Sequence, residues 1–395
     1  MRRIATLLLL TFFVVAPLPV GAGQVKQLAK LVPSGRSVGN AVAVAGDTIV
    51  IGAPNIGRSG EGRAFAYVKS EGRLNLVAEF GPGLNYTGYG YSVAISGDTN
   101  TIAVGAPGGK LAAIYVFVKP ATGWQDMPPT ATLTSSRLEL GRSLSISSDG
   151  TTLVAGVPGA HGPGGRGAAY VFEEPAVGWQ DVTAPTATLS SPSSSDLGYS
   201  VAMTDDTIVA GSPDDPAAYV FVKPPTGWEN AQPTARLTPS DATGSNQFGA
   251  SVAISGNTIA VGAPLQSNVG AAYVFVEPLG GWQDMTQTAV LSIQTEGPSN
   301  LGFSVAVEND AILAGDPDTA VGQIDDQGIA AAYLRPTGGW VDTTTPDFSV
   351  TSLGGVRGEF FGTSVAIEST VAVIGAPGRT DNGAPNGAVF VFGEQ

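Results

Sequence analysis

The segment Phe248-Gly249-Ala250-Ser251-Val252-Ala253-Ile254-Ser255-Gly256-Asn257-Thr258-Ile259-Ala260-Val261-Gly262-Ala263-Pro264 recurs, with changes, along the whole chain. Leu301-Gly302-Phe303-Ser304-Val305-Ala306-Val307 and Phe361-Gly362-Thr363-Ser364-Val365-Ala366-Ile367 repeat its start. The matching glycines are Gly39, Gly90, Gly141, Gly198, Gly249, Gly302 and Gly362, spaced by 51, 51, 57, 51, 53 and 60 residues. Each start is followed by a Gly-x-Pro ending at Pro54, Pro107, Pro158, Pro213, Pro264, Pro317 and Pro377. Self-similarity at a fixed period marks a repeat architecture. Within residues 249–292 the unit reads as four short strands bounded by Gly, Pro and Asn. Strand A is Ser251–Ile254, strand B Thr258–Gly262, strand C Ala271–Val276 and strand D Thr288–Ser292. Gly256-Asn257 joins A to B as a tight hairpin in which both residues tolerate positive φ.

Alternation along strand C sends Tyr273 and Phe275 to one side, and Ala272, Val274 and Val276 to the other. A sheet apolar on both faces stacks on copies of itself and cannot leave one face in water. Strand A is small, as the crowded inner strand of a radial array must be. Seven four-stranded units therefore predict an all-β fold, a seven-bladed β-propeller. With 54 Gly and 28 Pro among 395 residues, long helices are disfavoured. Charged residues are only 13% against 43% apolar, which excludes intrinsic disorder. The absence of Cys excludes disulfides, thiolate nucleophiles and sulfur-ligated metals. A net charge of −14 argues against nucleic acid and anionic membranes as partners.

Arg2-Arg3, an apolar run from Ile4 to Val15, and Val20-Gly21-Ala22 have the order of a secretory signal. Residues 1–22 are thus expected to be removed, leaving 23–395 as a single domain that is secreted or held in the cell envelope, with no membrane insertion once the signal is gone. The last repeat runs 34 residues from Gly362 to Gln395 and contains no strand D. The 16 residues from 23 to 38 bring it to one full period of 50. Gln27-Leu28-Ala29-Lys30-Leu31-Val32 resembles the D strands Thr234-Ala235-Arg236-Leu237 and Thr130-Ala131-Thr132-Leu133. The N-terminal strand is expected to complete the last blade and close the ring, which removes open sheet edges.

The Phe-Gly starts and the Gly-Ala-Pro punctuation, literal at 52–54, 105–107, 262–264 and 375–377, resemble the FG-GAP repeats of the integrin alpha-chain propeller and its microbial relatives. The resemblance spans residues 24–395. It implies a propeller of adhesion or interaction type. One departure matters: integrin blades that bind Ca²⁺ carry an aspartate-rich A–B loop. Here that place holds tight turns such as Gly46-Asp47, Gly97-Asp98 and Gly256-Asn257. Two or three residues cannot wrap an ion that takes six to eight oxygens. The family's calcium sites do not carry over, and no metal or other cofactor is expected.

Chemistry-bearing patterns are few. Gly35-Arg36-Ser37-Val38-Gly39 matches G-x-S-x-G, but a nucleophile elbow needs a strand-to-helix turn and a His partner. His161 is the one histidine; it sits in a Gly-rich B–C loop with Gly162, Gly164 and Gly167, a G-x-G-x-x-G that opens no helix. Asn85-Tyr86-Thr87 is a glycosylation sequon. Trp124, Trp179, Trp228, Trp282 and Trp340 each follow Gly at the C–D turn. Exposed indoles could stack on sugars, but placement at the structural period favours packing between blades. The A–B turns hardly vary, whereas B–C loops range from Pro213–Pro216 to the excursion at 318–330. Variable loops on a constant scaffold are where sites lie. They carry Asp214, Asp215, Asp318, Asp325, Asp326 and Asp381, the candidate ligand-binding residues. The expectation is a non-enzymatic, monomeric binding or scaffold protein taking an extracellular protein or glycan on the B–C/D–A face. The alternative is an extracellular carbohydrate-active enzyme using paired loop carboxylates.

Overall fold

The computed structural model describes residues 25–54, 62–81, 88–108, 112–159, 166–194, 196–241, 246–295, 297–381 and 384–394. Residues 1–22, expected to form the export signal, the sequon at Asn85 and His161 lie outside them. Seven antiparallel sheets follow one another, each in A-B-C-D order. Blade five, for example, is Ser251–Ser255, Thr258–Ala263, Ala271–Val276 and Ala289–Leu291, within a residue or two of the sequence reading. Strand D is the shorter for it, because only Ala289, Val290 and Leu291 pair with strand C.

Blade seven is Ser364–Glu368, Val371–Ala376, Ala388–Glu394 and, as strand D, the N-terminal Val25–Leu31. The latter pairs antiparallel with Ala388–Glu394, from Val25↔Glu394 to Leu31↔Val389, with a bulge at Leu28. The ring is closed as expected.

The A–B hairpins differ from expectation in one detail. Gly46, Gly256, Asn309 and Ser369 all have φ between 51° and 53°. The second turn residue, Asn257 in blade five, is not left-handed, so only the first position demands that conformation. Three turn aspartates serve as local locks. Asp98 accepts from the Asn100 amide at 2.9 Å, Asp149 from the Ser147 hydroxyl at 2.6 Å and the Thr151 amide at 3.0 Å. Asp205 accepts from Ser148 in the neighbouring blade at 2.7 Å.

The core is a set of interblade layers rather than one nucleus. The residue ahead of each repeat glycine is Val38, Tyr89, Leu140, Leu197, Phe248, Leu301 or Phe361, and every one is fully buried. Phe248 shows the pattern: it meets Tyr273 of its own blade at 5.3 Å and packs with Val209, Ala218 and Val220 of blade four. The Gly of each Gly-x-Pro is explained by the next blade. A Cβ on Gly52, Gly105, Gly156, Gly211, Gly262, Gly315 or Gly375 would lie 1.9–2.2 Å from the carbonyl oxygen of the following repeat glycine. At six of the seven interfaces a serine also donates its hydroxyl to that carbonyl, as Ser251 does to Gly302 at 2.8 Å. Blade one has Ala41 there, and Asn40 donates to the Tyr91 carbonyl instead at 3.0 Å.

The tryptophans pack. All five are buried. Trp124 meets Phe80 of blade one edge-on at 5.9 Å, and Trp179 donates Nε1–H to the Gly150 carbonyl at 3.1 Å. The residue two positions later adds a second contact. Asp126, Asp181, Asn230, Asp284 and Asp342 accept the strand-D amides of Glu79, Thr132, Thr188, Arg236 and Val290 in the preceding blade at 2.7–2.8 Å. In blades three to six the same connector then pairs in parallel with the preceding strand D, as Met285-Thr286 does with Leu237-Thr238. Each Gly-Trp-x-Asp/Asn connector thus covers an edge that would otherwise be open.

Candidate functional site

The strand directions put the B–C and D–A loops on one face. There, a Cβ added at Gly167, Gly270, Gly328 or Gly387, where the B–C loop ends, would meet the D–A segment of the next blade at 2.1–2.4 Å. At the centre, just ahead of each strand A, stand Asn40, Tyr91, Arg142, Tyr199, Ala250, Phe303 and Thr363, one per blade. These are the residues after the repeat glycines, and they are the variable position of an otherwise uniform segment. The Arg142 guanidinium lies over Tyr199 at 4.5 Å and over Tyr91 at 5.7 Å, between two aromatic faces. Tyr199 is 37% exposed and Phe303 is 44% exposed. An arginine held between tyrosines offers a planar donor fork whose rotamer is already fixed.

Below this ring, the channel is walled by strand A of every blade, with Val42, Val93, Ile146, Met203, Ile254 and Val307 among its lining. Its volume is about 250 Å³ and no carboxylate lines it. Glu308 and Glu368 end strand A in blades six and seven. Burial, and then Glu368, hold the Glu308 carboxyl above its ordinary value.

The six candidate aspartates lie on the loop face but do not converge. Asp215 accepts from Tyr219 Oη at 2.5 Å and pairs with Arg236 at 3.1 Å. Asp325 pairs with Arg357 at 3.2 Å, and both are exposed. Asp381 pairs with Lys30 and with Arg379 at 3.2 Å. The Lys30 hydrogen bond, and Arg379 after it, hold the Asp381 carboxyl below the usual range against the opposing effect of burial. Asp214 uses its backbone amide, which donates to Asp196 at 2.9 Å. Asp326 stands in a left-handed turn with φ 52°. Asp318 accepts from Asn300; burial, then Asp326, then Asp316 push its carboxyl up. Among the described residues no three His, Asp or Glu come together to hold a metal ion.

Four carboxylates that the sequence reading did not single out order these loops. Asp196 takes the Ser212 hydroxyl at 2.5 Å. Asp241 takes Tyr273 Oη at 2.8 Å and Gln266 at 2.9 Å. Asp316, fully buried, takes the hydroxyls of Ser299 and Thr319 and the Asn300 amide. Glu359, also fully buried, pairs with Arg379 at 2.6 Å. Two of them had a visible signal, since Asp316 itself and Ser212, the partner of Asp196, replace the alanine of Gly-Ala-Pro. The Tyr91–Arg142–Tyr199 stack had one too, in the variable residue after the repeat glycine.

Residues 232–275 and 349–392 match the FG-GAP repeat family model. Both matches run from strand D of one blade through strand C of the next, the same one-strand offset that the closed ring requires. The crystal structure of the RRP9 WD40 repeats aligns over 96% of this chain and 99% of that one, with TM-score 0.59 and 16% identity, a likeness of fold alone. No curated protein sequence matches the chain.

Proposed function

For a chain that carries FG-GAP repeats in a closed seven-bladed propeller, we propose an exported, non-enzymatic binding or scaffold role, with a protein or glycan partner seated on the B–C/D–A face. The observation that carries this reading is the Tyr91–Arg142–Tyr199 stack at the centre of that face. Aromatic and arginine side chains dominate binding energies when they sit centrally on a rigid surface. Three of the loop aspartates already have cationic partners, so they shape the rim more than they anchor a ligand. Export rests on the Arg2-Arg3 start and the apolar run to Val15.

The test is a protein and glycan array probed with residues 23–395, followed by titration of each hit. Arg142→Ala and Tyr199→Ala should weaken the hit about tenfold or more. Charge reversal at Asp214, Asp215, Asp325 and Asp326 should weaken a basic partner most at low salt. Binding that survives all of these changes in folded variants places the site elsewhere.

A further inference from the structure

Five connectors of the form Gly-Trp-x-Asp/Asn fill five of the seven interblade slots; the interfaces on either side of blade seven have none, that with blade six because chain termini stand where the connector of blade seven would be. In blade one, strand C (Arg63–Ser70) turns directly into strand D (Arg73–Phe80) through Glu71-Gly72. This hairpin is too short to reach back across blade seven. At the seven–one interface a groove of about 730 Å³ remains where five other interfaces hold an indole and its flanking backbone. Its walls are Leu31, Val44, Ile49, Leu74, Val371 and Val391. Its floor on the blade-seven side is the N-terminal strand, from Gln27 to Leu31.

The register identifies what is missing. Leu31 pairs with Val389 as Phe80 pairs with Ala64. Lys30 is therefore the counterpart of Glu79, whose amide is taken by Asp126 in the next blade. Among the described residues no connector brings a carboxylate to the Lys30 amide. The rim carries Lys69 and Arg73 against Asp47, a cationic margin on a chain of net charge −14.

We propose that this groove docks an extended segment of a partner protein bearing a Gly-Trp-x-Asp-like sequence. The segment runs parallel to Val25–Leu31. Its indole enters the slot against Leu74 and Val391, and its carboxylate takes the Lys30 amide. This is strand addition with one side-chain pocket, the same contact the molecule makes internally at five places. Lys69 and Arg73 favour an acidic segment over a basic one. The groove opens on the A–B/C–D side, away from the Arg142 stack, so the two surfaces stand or fall separately.

The probe is a synthetic peptide with the sequence of residues 121–129, Ala-Thr-Gly-Trp-Gln-Asp-Met-Pro-Pro. It is titrated by calorimetry into residues 23–395. One-to-one binding is expected, and a peptide with Trp replaced by Ala should bind about tenfold more weakly or worse. Leu74→Trp, which fills the slot from within, should abolish binding while leaving the circular dichroism unchanged. Arg73→Glu should weaken it, and added salt should weaken it further. The proposal is overturned if no binding occurs, if the Trp-less peptide binds equally, or if folded Leu74→Trp binds as the parent does. Binding to residues 25–395 but not to 23–395 would assign the groove to the chain's own N-terminus. A dimer in sedimentation that Leu74→Trp dissociates would assign it to a second copy.

Discussion

Gly211 and Gly280 separate two roles of one residue type. A Cβ at Gly211 would sit 2.0 Å from the Gly249 carbonyl oxygen, whereas nothing lies within 4 Å of one at Gly280, which has no left-handed φ. Gly211→Ala must push blade five away from blade four, at a cost of about 3 kcal/mol. Gly280→Ala should change stability by less than about 0.5 kcal/mol. Urea unfolding of both variants checks the contrast; equal midpoints would remove the close-approach account of the motif. Asp149 gives a second residue-level expectation. The Ser147 hydroxyl, followed by the Thr151 amide, holds its carboxyl below the usual range. A carboxyl with a depressed folded value contributes stability above the unfolded pKa, about 3.9 for Asp, and loses it as pH falls through the folded value. Asp149→Ala should therefore lower Tm at pH 6, and the difference should shrink as the pH is taken below 4. A pH-independent difference would mean that the carboxylate form is not what stabilises the turn.

At the scale of the element, the Trp–Asp connector is the unit. Trp282 is buried between blades four and five with Phe248, Phe275 and Met285, and Asp284 takes the Arg236 amide at 2.8 Å. Trp282→Ala should cost about 4 kcal/mol, through lost burial and an unfilled cavity. Asp284→Ala should cost about 1 kcal/mol, the worth of one hydrogen bond. The two side chains position one connector, so a double-mutant cycle should show coupling between them. Strict additivity would mean that they act independently. The tryptophan half of this device was readable, because Trp recurs after Gly with the period of the fold. The aspartate half was not, since its partner amide lies about 50 residues upstream, in another sheet. The loop aspartates are the reverse case. Their acidity was plain in sequence, but Arg236, Arg357 and Lys30 come from other parts of the chain to neutralise three of them.

At the scale of the molecule, closure couples every blade. The N-terminal strand supplies the outer edge of blade seven, and Leu31 joins the core layer shared with blade one through Ile49, Ile51 and Tyr67. Deleting residues 23–33 should remove about 5 kcal/mol or more, a large part of a domain's stability, and should do so in one cooperative transition. Thermal circular dichroism measures this, and a peptide of residues 23–33 supplied separately should restore the midpoint. An unchanged midpoint in the truncated chain would show that the ring holds without its clasp.

The sequence by itself determined the repeat, the blade number, the strand order and the clasp. All of these follow from local patterning: alternation along each strand, glycine at fixed spacing, and an incomplete last unit matched by a spare first strand. Only the tertiary structure decided which charges are spent and which surfaces stay open. The Arg142 stack joins residues 51 and 57 positions away on either side, and the blade seven–one groove joins the first strand to residues near 371 and 391. Such contacts depend on how neighbouring blades face one another, and pairwise distances of that kind leave no periodic trace in a single chain.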